Sequence, residues 1–163
     1  MISKSNTSER SLESCVTANP EETRAWGLKL ARRLQAGDCL LLIGELGAGK
    51  TTLVQGIASG FGVPPEKIRS PTFVLIREYD GQIPIYHVDA YRLRSAEELL
   101  DVGFEDYLAS GRGLVIVEWG EVVRPLCPPD SWEVRLEILD EHRRRLTSFL
   151  GAHRRRKRHR DGD

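Results

Sequence analysis

The sequence is poor in cysteine, and its few cysteines are badly placed for structural bonding. Only Cys15, Cys39 and Cys127 occur in 163 residues, and no Cys-x-x-Cys pair is present. An odd number of widely spaced cysteines argues against a disulfide framework, and the missing paired spacing argues against a zinc site. The cysteine content therefore indicates a protein of a reducing compartment.

Long hydrophobic runs are also missing. No stretch approaches the roughly 18 apolar residues that a membrane-spanning helix requires. Residues 1–13 are polar and lack the apolar centre of a secretory signal peptide. We therefore expect a cytoplasmic protein with no membrane association.

An overall excess of charge is absent, because 24 Lys and Arg residues balance 24 Asp and Glu residues. This balance hides an asymmetry: residues 154–163 hold six basic and two acidic residues, which leaves the rest of the chain with a net charge of −4. The run 153–160 is entirely basic and cannot form an apolar core, so we predict a disordered basic tail over 152–163. Such a run is either a solvated segment or a direct contact for RNA phosphates.

The remaining composition, 40% apolar and 29% charged, is that of an ordinary globular protein. The length fits one domain with a sizeable core, which we place at residues 1–151. Within it, residues 1–18 are polar and rich in serine, and they predict a loosely ordered lead-in or a short strand around Ser14 to Ala18. The sequence contains neither an internal repeat nor an interdomain linker.

Residues 44–51 match all eight positions of the pattern Gly-x-x-x-x-Gly-Lys-Ser/Thr. Residues 39–43 before them are a continuous apolar run, typical of a strand buried on both faces of a parallel sheet. Residues 50–61 after them place their apolar positions on one helical face: Leu53, Val54, Ile57, Ala58 and Phe61. A strand, a glycine-rich turn and a helix N-terminus in this order predict a phosphate-binding loop for a nucleoside triphosphate.

The positions of this loop have expected parts in such a site. Lys50 would contact the β- and γ-phosphates, and the Thr51 hydroxyl would bind Mg²⁺. The loop backbone would surround the phosphates, so the predicted nucleotide-binding residues are Glu45, Leu46, Gly47, Ala48, Gly49, Lys50, Thr51 and Thr52. The alternative is a glycine-rich loop that only turns the chain, and the matching elements on both sides argue against it.

The rest of the chain alternates predicted helices and strands. Asn19, Pro20 and Glu22 have the spacing of a helix N-terminus, and Gly37 is expected to end that helix. An Asp-Gly pair at 80–81, between strand-like runs at 73–79 and 83–88, predicts a β-hairpin.

Further helices are predicted from a capping box at Ser95–Glu98 and over 104–108, and further strands over 113–118, 132–139 and 143–149. This order around a phosphate-binding loop predicts an α/β, three-layer P-loop NTPase fold. Its sheet should be mainly parallel with some antiparallel strands, and helices should cover both faces.

Two acidic residues, Asp89 and Glu118, each follow an apolar strand. Ligands of open α/β sheets collect outside the carboxyl ends of the strands, so both carboxylates could point toward the phosphates. A strand-end carboxylate often caps the next turn instead. Two acids at equivalent positions favour the functional interpretation.

Three nearby residues carry weaker signals. Thr72, in a Ser-Pro-Thr sequence, lies where the switch of a P-loop protein is usually found, although a plain turn explains the same residues. Trp119 directly follows Glu118 and belongs either to the wall of the site or to the core. His87 is alone on its strand, and we expect it to be structural.

Two signatures of other nucleotide-binding classes are missing. No Asn-Lys-x-Asp guanine-binding motif occurs, which disfavours a GTPase, and no Ser-Gly-Gly signature of an ABC-type ATPase occurs. A small-molecule kinase is a rival interpretation; it needs an acceptor pocket and a lid with phosphate-binding arginines, which Arg92 and Arg94 could imitate. A third interpretation is a scaffold protein that binds a nucleotide but has negligible catalytic activity.

Four motifs together resemble the TsaE (YjeE) family, small bacterial P-loop ATPases needed for threonylcarbamoyladenosine modification of tRNA. They are Gly-Glu-Leu-Gly-Ala-Gly-Lys-Thr-Thr at 44–52, Ser-Pro-Thr-Phe at 70–73, His-Val-Asp-Ala-Tyr-Arg-Leu at 87–93 and Val-Glu-Trp-Gly-Glu at 117–121. The resemblance covers about residues 20–151 and includes segment 97–107. The basic tail departs from the family pattern, and so does Ala90, where a larger apolar residue is common.

The resemblance implies roles for individual residues. Lys50 and Thr51 would bind the ATP phosphates and Mg²⁺, and Glu118 would be the second magnesium ligand. Asp89 would take part in hydrolysis and Thr72 would act as a switch-like residue, so the implied catalytic set is Asp89, Thr72 and Lys50.

The resemblance also implies residues beside the nucleotide: Trp119, Thr23 in the first helix, and Arg144 late in the domain. The implied cofactors are ATP and Mg²⁺. The implied activity is an ATPase that is slow alone and activated by TsaB- and TsaD-like partners, of which the TsaD-like protein carries the transferase chemistry. Contact with tRNA would be indirect, unless the basic tail binds it directly.

Overall fold

Seven strands form one mixed sheet across the residues that the computed structural model describes, 11–70 and 75–150. The strands are β1 (Ser11–Thr17), β2 (Cys39–Gly44), β3 (Ile76–Asp80), β4 (Pro84–Asp89), β5 (Leu114–Glu118), β6 (Trp132–Ile138) and β7 (Arg144–Leu150). The helices are α1 (Pro20–Ala31), α2 (Lys50–Ser59), α3 (Glu97–Asp101) and α4 (Phe104–Ser110). Short 3₁₀ turns lie at Pro65–Lys67, Gly120–Val122 and Arg124–Leu126.

The strand order is β1-β7-β6-β2-β5-β4-β3. Strand β2 lies at the centre and pairs in parallel with β5 and β6, and β5 pairs in parallel with β4. The outer strands β3, β7 and β1 pair antiparallel with their neighbours. The predicted mainly parallel sheet with some antiparallel strands is therefore confirmed.

Alternation along the central strands explains the two helical layers. In β2, Leu40 and Leu42 pack into the cluster that contains α1 and α2, whereas Cys39 and Leu41 pack into the cluster that contains α3 and α4. Side chains alternate between faces along a strand, so a strand covered on both sides must be apolar throughout. The predicted three-layer α/β fold is confirmed.

Helices α1 and α2 pack against each other through glycines. A Cβ added at Gly27 would lie 2.8 Å from the carbonyl oxygen of Leu53, and one added at Gly56 would overlap the carbonyl oxygen of Arg24. The two helix backbones therefore lie so close together at these positions that only glycine, which has no Cβ, fits.

The start of α1 is as predicted, but its end is not. The Asn19 side chain accepts from the Glu22 N–H at 2.8 Å, and Pro20 occupies the first turn. The helix ends at Ala31, where tighter 3₁₀-type bonds follow, so Gly37 does not end it. With φ +91°, Gly37 instead donates its N–H to the carbonyl oxygen of Gly113 at 2.9 Å, at the start of β5.

Other local predictions have mixed outcomes. The hairpin around residues 80–81 is confirmed by the antiparallel pairing of β3 and β4. The capping box at Ser95 is wrong: Ala96 is the cap residue of α3, no side chain caps that helix, and Glu98 accepts from the Arg94 N–H. Of the two alternatives for the start of the chain, the short strand is confirmed over residues 11–17, which form β1 and pair with β7.

Two predictions concern residues outside the described ranges: the switch-like role of Thr72 and the basic tail at 152–163. Within residues 11–70 and 75–150, none of the helices is long and apolar enough to cross a membrane.

Candidate functional site

The site lies at the edge of the sheet where the parallel strands end. The phosphate-binding loop follows β2, and the register places Asp89 at the end of β4 directly opposite Glu118 at the end of β5. Because β7 runs antiparallel to β6, its first residue, Arg144, starts from the same edge. Topology therefore brings together residues from four strands that are distant in sequence.

The glycines of the loop serve two different needs. Gly49, with φ +98°, is the cap residue of α2, and no side chain caps that helix. The first N–H groups of α2 are thus without a side-chain acceptor, as an anion-binding helix end requires. Gly44 is needed for packing instead, because a Cβ there would lie 2.7 Å from the carbonyl oxygen of Leu136 in β6.

Lys50 begins α2 and is buried. Its Nζ donates to the carbonyl oxygens of Gly44 at 2.6 Å and Glu45 at 2.9 Å, and it lies 3.9 Å from the centre of the Trp119 ring. Burial lowers the pKa of Lys50 from its usual 10.5, and nearby carboxylates, of which Glu118 has the largest effect, oppose that shift. Lys50 thus directs its amine into the phosphate-binding loop.

Glu118 is a buried carboxylate held from two sides. The Thr51 hydroxyl donates to its two oxygens at 3.0 and 3.1 Å. On the other side, Nε2 of His87 lies 2.5 Å from Oε2 of Glu118. The contact between Glu118 and Thr51 joins the end of β5 to the first turn of α2.

Asp89 has a more open environment. It is half-buried, its Oδ2 accepts from the Ser70 hydroxyl at 3.2 Å, and its Oδ1 accepts from the Tyr91 N–H at 2.9 Å. The second bond closes a turn after β4, so Asp89 also caps a turn, as the alternative interpretation of a strand-end acid predicts. The carboxylate nevertheless lines the cavity described below.

Trp119 adopts an unusual backbone conformation. Its φ of +62° lies in the left-handed region, which costs a non-glycine residue free energy and recurs at functional sites. The 3₁₀ turn Gly120–Val122 follows directly, and the Trp119 ring packs at 4.9 Å from the ring of Tyr91, tilted by 38°. Trp119 is therefore a wall of the site and not only part of the core.

A cavity of about 450 Å³ lies over the loop. Nine residues predicted from the sequence line it: Leu46, Gly47, Gly49, Lys50, Thr51, Thr52, Asp89, Glu118 and Trp119. Three further residues line it, namely Ser70, Tyr91 and Arg92. Ser70 and Tyr91 carry no predicted contact, whereas Arg92 is one of the two arginines of the kinase interpretation. Each of the three lies within three residues of Thr72 or Asp89.

A second cavity of about 250 Å³ adjoins the loop on the side of α1 and β7. Thr23 and Arg144 line it, together with Gly47 and Gly49 of the loop. Arg144 donates from Nε and Nη2 to the carbonyl oxygen of Gly47 at 3.3 and 3.2 Å. Both residues that were placed only by family resemblance thus lie beside the loop.

Some residues that were predicted for the site do not direct a polar side chain into either cavity or lie outside the described residues. Thr23 is buried and its hydroxyl pairs with that of Thr17 at 2.8 Å, so its methyl group is the part nearer the loop. Neither Glu45 nor Ala48 is among the residues that line the two cavities described above: Ala48 is fully buried, and the Glu45 carbonyl oxygen accepts from Lys50. Thr72 lies outside the described residues.

The donor set fits a hard cation. Thr51, Glu118 and Asp89 offer only oxygen atoms, which Mg²⁺ prefers over nitrogen and sulfur. Residues 11–70 and 75–150 contain no cluster of three or more His, Cys, Asp or Glu side chains that could hold a metal ion alone. Magnesium sites of phosphate-binding proteins commonly combine one or two protein ligands with substrate phosphates, which matches this arrangement.

Comparison with known proteins gives sequence matches over most of the chain. The family model described as Threonylcarbamoyl adenosine biosynthesis protein TsaE matches residues 17–146. The curated tRNA threonylcarbamoyladenosine biosynthesis protein TsaE of Treponema pallidum is 38% identical over 133 residues, covering 82% of this chain and 97% of the relative. The protein of the same name from Bacillus subtilis is 39% identical over 132 residues, covering 80% and 81%.

The fold also matches a solved structure. The crystal structure of Bacillus subtilis YdiB aligns with a TM-score of 0.74 and 32% identity, and the alignment covers 93% of each chain. The residues matched by the family model, 17–146, contain strands β2 to β6, helices α1 to α4 and the phosphate-binding loop.

Proposed function

The chain belongs to the TsaE family of threonylcarbamoyl adenosine biosynthesis proteins, and on that premise we propose that it is a Mg²⁺-dependent ATPase that supports threonylcarbamoyladenosine modification of tRNA. The observation that carries this proposal is the meeting of Lys50, Thr51, Asp89 and Glu118 around one cavity at the phosphate-binding loop. The family takes part in tRNA threonylcarbamoyladenosine biosynthesis, and the ATPase activity is our inference.

The loop and Lys50 would bind the phosphates. The N–H groups that begin α2 would donate to phosphate oxygens, and the helix dipole would favour their negative charge. Lys50 would exchange its two backbone carbonyl acceptors for phosphate oxygens and so gain stronger, charge-assisted hydrogen bonds. The nucleoside would extend toward the second cavity, past Thr23 and Arg144.

Thr51 and Glu118 would hold Mg²⁺. When bound, the ion would neutralise charge that develops on the phosphates during transfer. Glu118 suits this role because its carboxylate is already fixed beside the Thr51 hydroxyl.

Asp89 would orient the attacking water. Its carboxylate faces the cavity from the end of β4, while the bonds from Ser70 and Tyr91 fix its direction. Positioning a nucleophile in this way is one of the main contributions that a protein makes to phosphoryl transfer. Thr72 stays a prediction as the switch residue.

We expect the isolated protein to hydrolyse ATP slowly and to act in the cytoplasm with TsaB- and TsaD-like partners. Contact with tRNA would be indirect, through those partners, and the basic tail would add a direct contact only at low salt. Co-purification with TsaB- and TsaD-like proteins, with and without ATP, tests the partner assignment. No association under either condition would refute it.

A small-molecule kinase is the rival that the site could also support, because Arg92 lines the larger cavity. The two activities differ in where the phosphoryl group goes. Release of inorganic phosphate without an acceptor identifies an ATPase, whereas a phosphorylated acceptor identifies a kinase. If the protein binds the nucleotide but shows no turnover, the scaffold interpretation is the one that remains.

The direct test of nucleotide binding is Lys50→Ala. The variant loses a charged hydrogen-bond donor to the phosphates, worth about 1.5–3 kcal/mol or about 10- to 100-fold in affinity. Calorimetric titration with ATP measures the loss, and Lys67→Ala, an exposed lysine outside both cavities, is the matched control. Unchanged affinity in folded Lys50→Ala would refute the assignment of the loop.

A further inference from the structure

His87 occupies a position where a polar side chain is costly. It lies in the middle of β4 with no exposed surface, between Tyr86 and Val88, whose side chains pack on the opposite face of the sheet. Burying an imidazole without hydrogen bonds costs free energy that an apolar side chain would avoid. A structural role in packing alone therefore gives no reason for histidine here.

The strand register explains what His87 contacts. His87 and Asp89 lie two residues apart on β4 and so face the same side of the sheet, the side that α2 covers. On the neighbouring strand, Glu118 lies opposite Asp89 and points to that same side. Nε2 of His87 reaches Oε2 of Glu118 at 2.5 Å, with both side chains almost fully buried.

The hydrogen-bond pattern determines which ring nitrogen carries the proton. A carboxylate only accepts, so the contact requires a hydrogen on Nε2 of His87. Nδ1 of His87 has no hydrogen-bond partner among the described residues. A hydrogen on Nδ1 would thus be an unsatisfied buried donor, and the tautomer with hydrogen on Nε2 alone is the one that fits.

We propose that His87 is a positioning residue that fixes the Glu118 carboxylate for Mg²⁺ binding, which rests on the proposed function. Its Nε2–H donates to one carboxylate oxygen and prevents rotation of the group, while the other oxygen stays beside the Thr51 hydroxyl. A glutamate held in this way has lost its side-chain entropy before the cation binds. Partners of metal ligands commonly act in this way.

A positioning role and a packing role of His87 predict different behaviour of two variants. In His87→Gln the amide nitrogen can reach the place of Nε2 and donate to Glu118, whereas His87→Leu fills the space without a donor. If His87 only packs, both variants should be defective in proportion to their loss of stability. If it positions Glu118, only His87→Leu should change the magnesium dependence.

The test is nucleotide binding measured by calorimetry over a range of Mg²⁺ concentrations, with thermal melting to record stability. Ile85→Val is the matched control, since Ile85 is fully buried on the same face of β4 two residues away. We expect His87→Leu to lower the apparent Mg²⁺ affinity about 10- to 100-fold. Binding of ATP by His87→Leu in the absence of Mg²⁺ should stay at the wild-type level. The dependence of ATP binding on Mg²⁺ should also be unchanged in His87→Gln and in Ile85→Val.

The outcomes separate this inference from the proposed function. Wild-type protein that binds no ATP, or binds it without regard to Mg²⁺, refutes the proposed function and the inference with it. If the wild-type protein needs Mg²⁺ to bind ATP and His87→Leu shows the same dependence on Mg²⁺, the inference is refuted and the proposed function stands. Equal defects in His87→Gln and His87→Leu would do the same.

A measurement without ligand covers the case in which His87→Leu does not fold. Long-range ¹H–¹⁵N spectra of the wild-type protein report the tautomer of each histidine. We expect His87 to carry its hydrogen on Nε2, with a signal that changes in Glu118→Gln. A hydrogen on Nδ1, or a His87 signal indifferent to Glu118→Gln, would overturn the inference.

Discussion

Asp89 and Glu118 lie directly opposite each other at the ends of β4 and β5, but their surroundings differ. Glu118 is 3% exposed and is held by the side chains of His87 and Thr51. Asp89 is half-buried and is held by one hydroxyl and one backbone N–H from flanking loops. The sheet thus supports one carboxylate with core elements and the other with connecting segments.

This difference is the basis for proposing distinct roles for two chemically similar groups. A ligand for a cation benefits from a fixed position, because reorganisation on binding costs free energy. A group that orients water must face a space that water can enter. Burial and hydrogen-bond partners, and not the identity of the acid, therefore distinguish the proposed metal ligand Glu118 from the proposed catalytic residue Asp89.

The largest effect is expected from Glu118→Gln. The amide keeps the volume of the side chain but has one oxygen fewer and no charge, so both Mg²⁺-dependent binding and turnover should fall by about 100-fold or more. Titration of ATP at several Mg²⁺ concentrations measures this. If binding stays dependent on Mg²⁺ as in the wild type, Glu118 and Asp89 exchange their roles.

The next effect is expected from Asp89→Asn. Without a charged acceptor for the attacking water, kcat should fall by about 100-fold or more, while the affinity for Mg²⁺-ATP should change little. Parallel measurement of turnover and binding shows whether the two quantities separate. A loss of binding equal to the loss of turnover would contradict the contrast between the two strand ends.

A smaller effect is expected from Ser70→Ala. The variant removes one of the two hydrogen bonds that fix Asp89, a contribution of about 1 kcal/mol or roughly fivefold in kcat. Ser70→Thr keeps the hydroxyl and is the control. A larger loss than in Asp89→Asn would mean that Ser70 acts on the nucleotide itself.

The smallest effect is expected at the turn between β6 and β7. Hydrogen bonds from the Arg143 N–H and guanidinium lower the pKa of Asp140 from 3.8 to about 2. Because the folded-state pKa is depressed, this contribution to stability is present above the unfolded value and is lost as pH falls toward about 2.

Asp140→Asn should therefore melt slightly below the wild type at neutral pH, and the difference should vanish near pH 2. Melting temperatures across this range provide the measurement. A difference that grows with acidity would show that the carboxylate is not stabilised by Arg143 in the folded state.

Much of the fold and the loop could be predicted because the signals are local. A continuous apolar strand, a glycine-rich turn and an apolar helix face follow one another within residues 39–61, and the structure reproduces them as β2 and α2. The Asn19 cap and the hairpin after Asp80 are local too. In each case the residues that determine the conformation are adjacent in the chain.

Other features depend on strand order, which local patterns do not contain. Arg144 and Gly47 are 97 positions apart, and they meet only because β7 returns antiparallel beside β6. His87 looked structural when it was considered alone. Its contact with Glu118 follows from the pairing of β4 with β5, together with the two-residue spacing from Asp89.

The close packing at Gly27 and Gly56 has a mechanical consequence. The backbones of α1 and α2 lie so close at these glycines that no added side-chain atom fits between them, and we therefore expect the two helices to move as one body. One of them carries Thr51 and the other carries Thr23, so the phosphate side and the nucleoside side of the proposed site keep a constant separation. Ser70, Tyr91 and Arg144 approach this pair of helices from other segments, so among the described residues we expect any closure around a bound nucleotide to involve those segments.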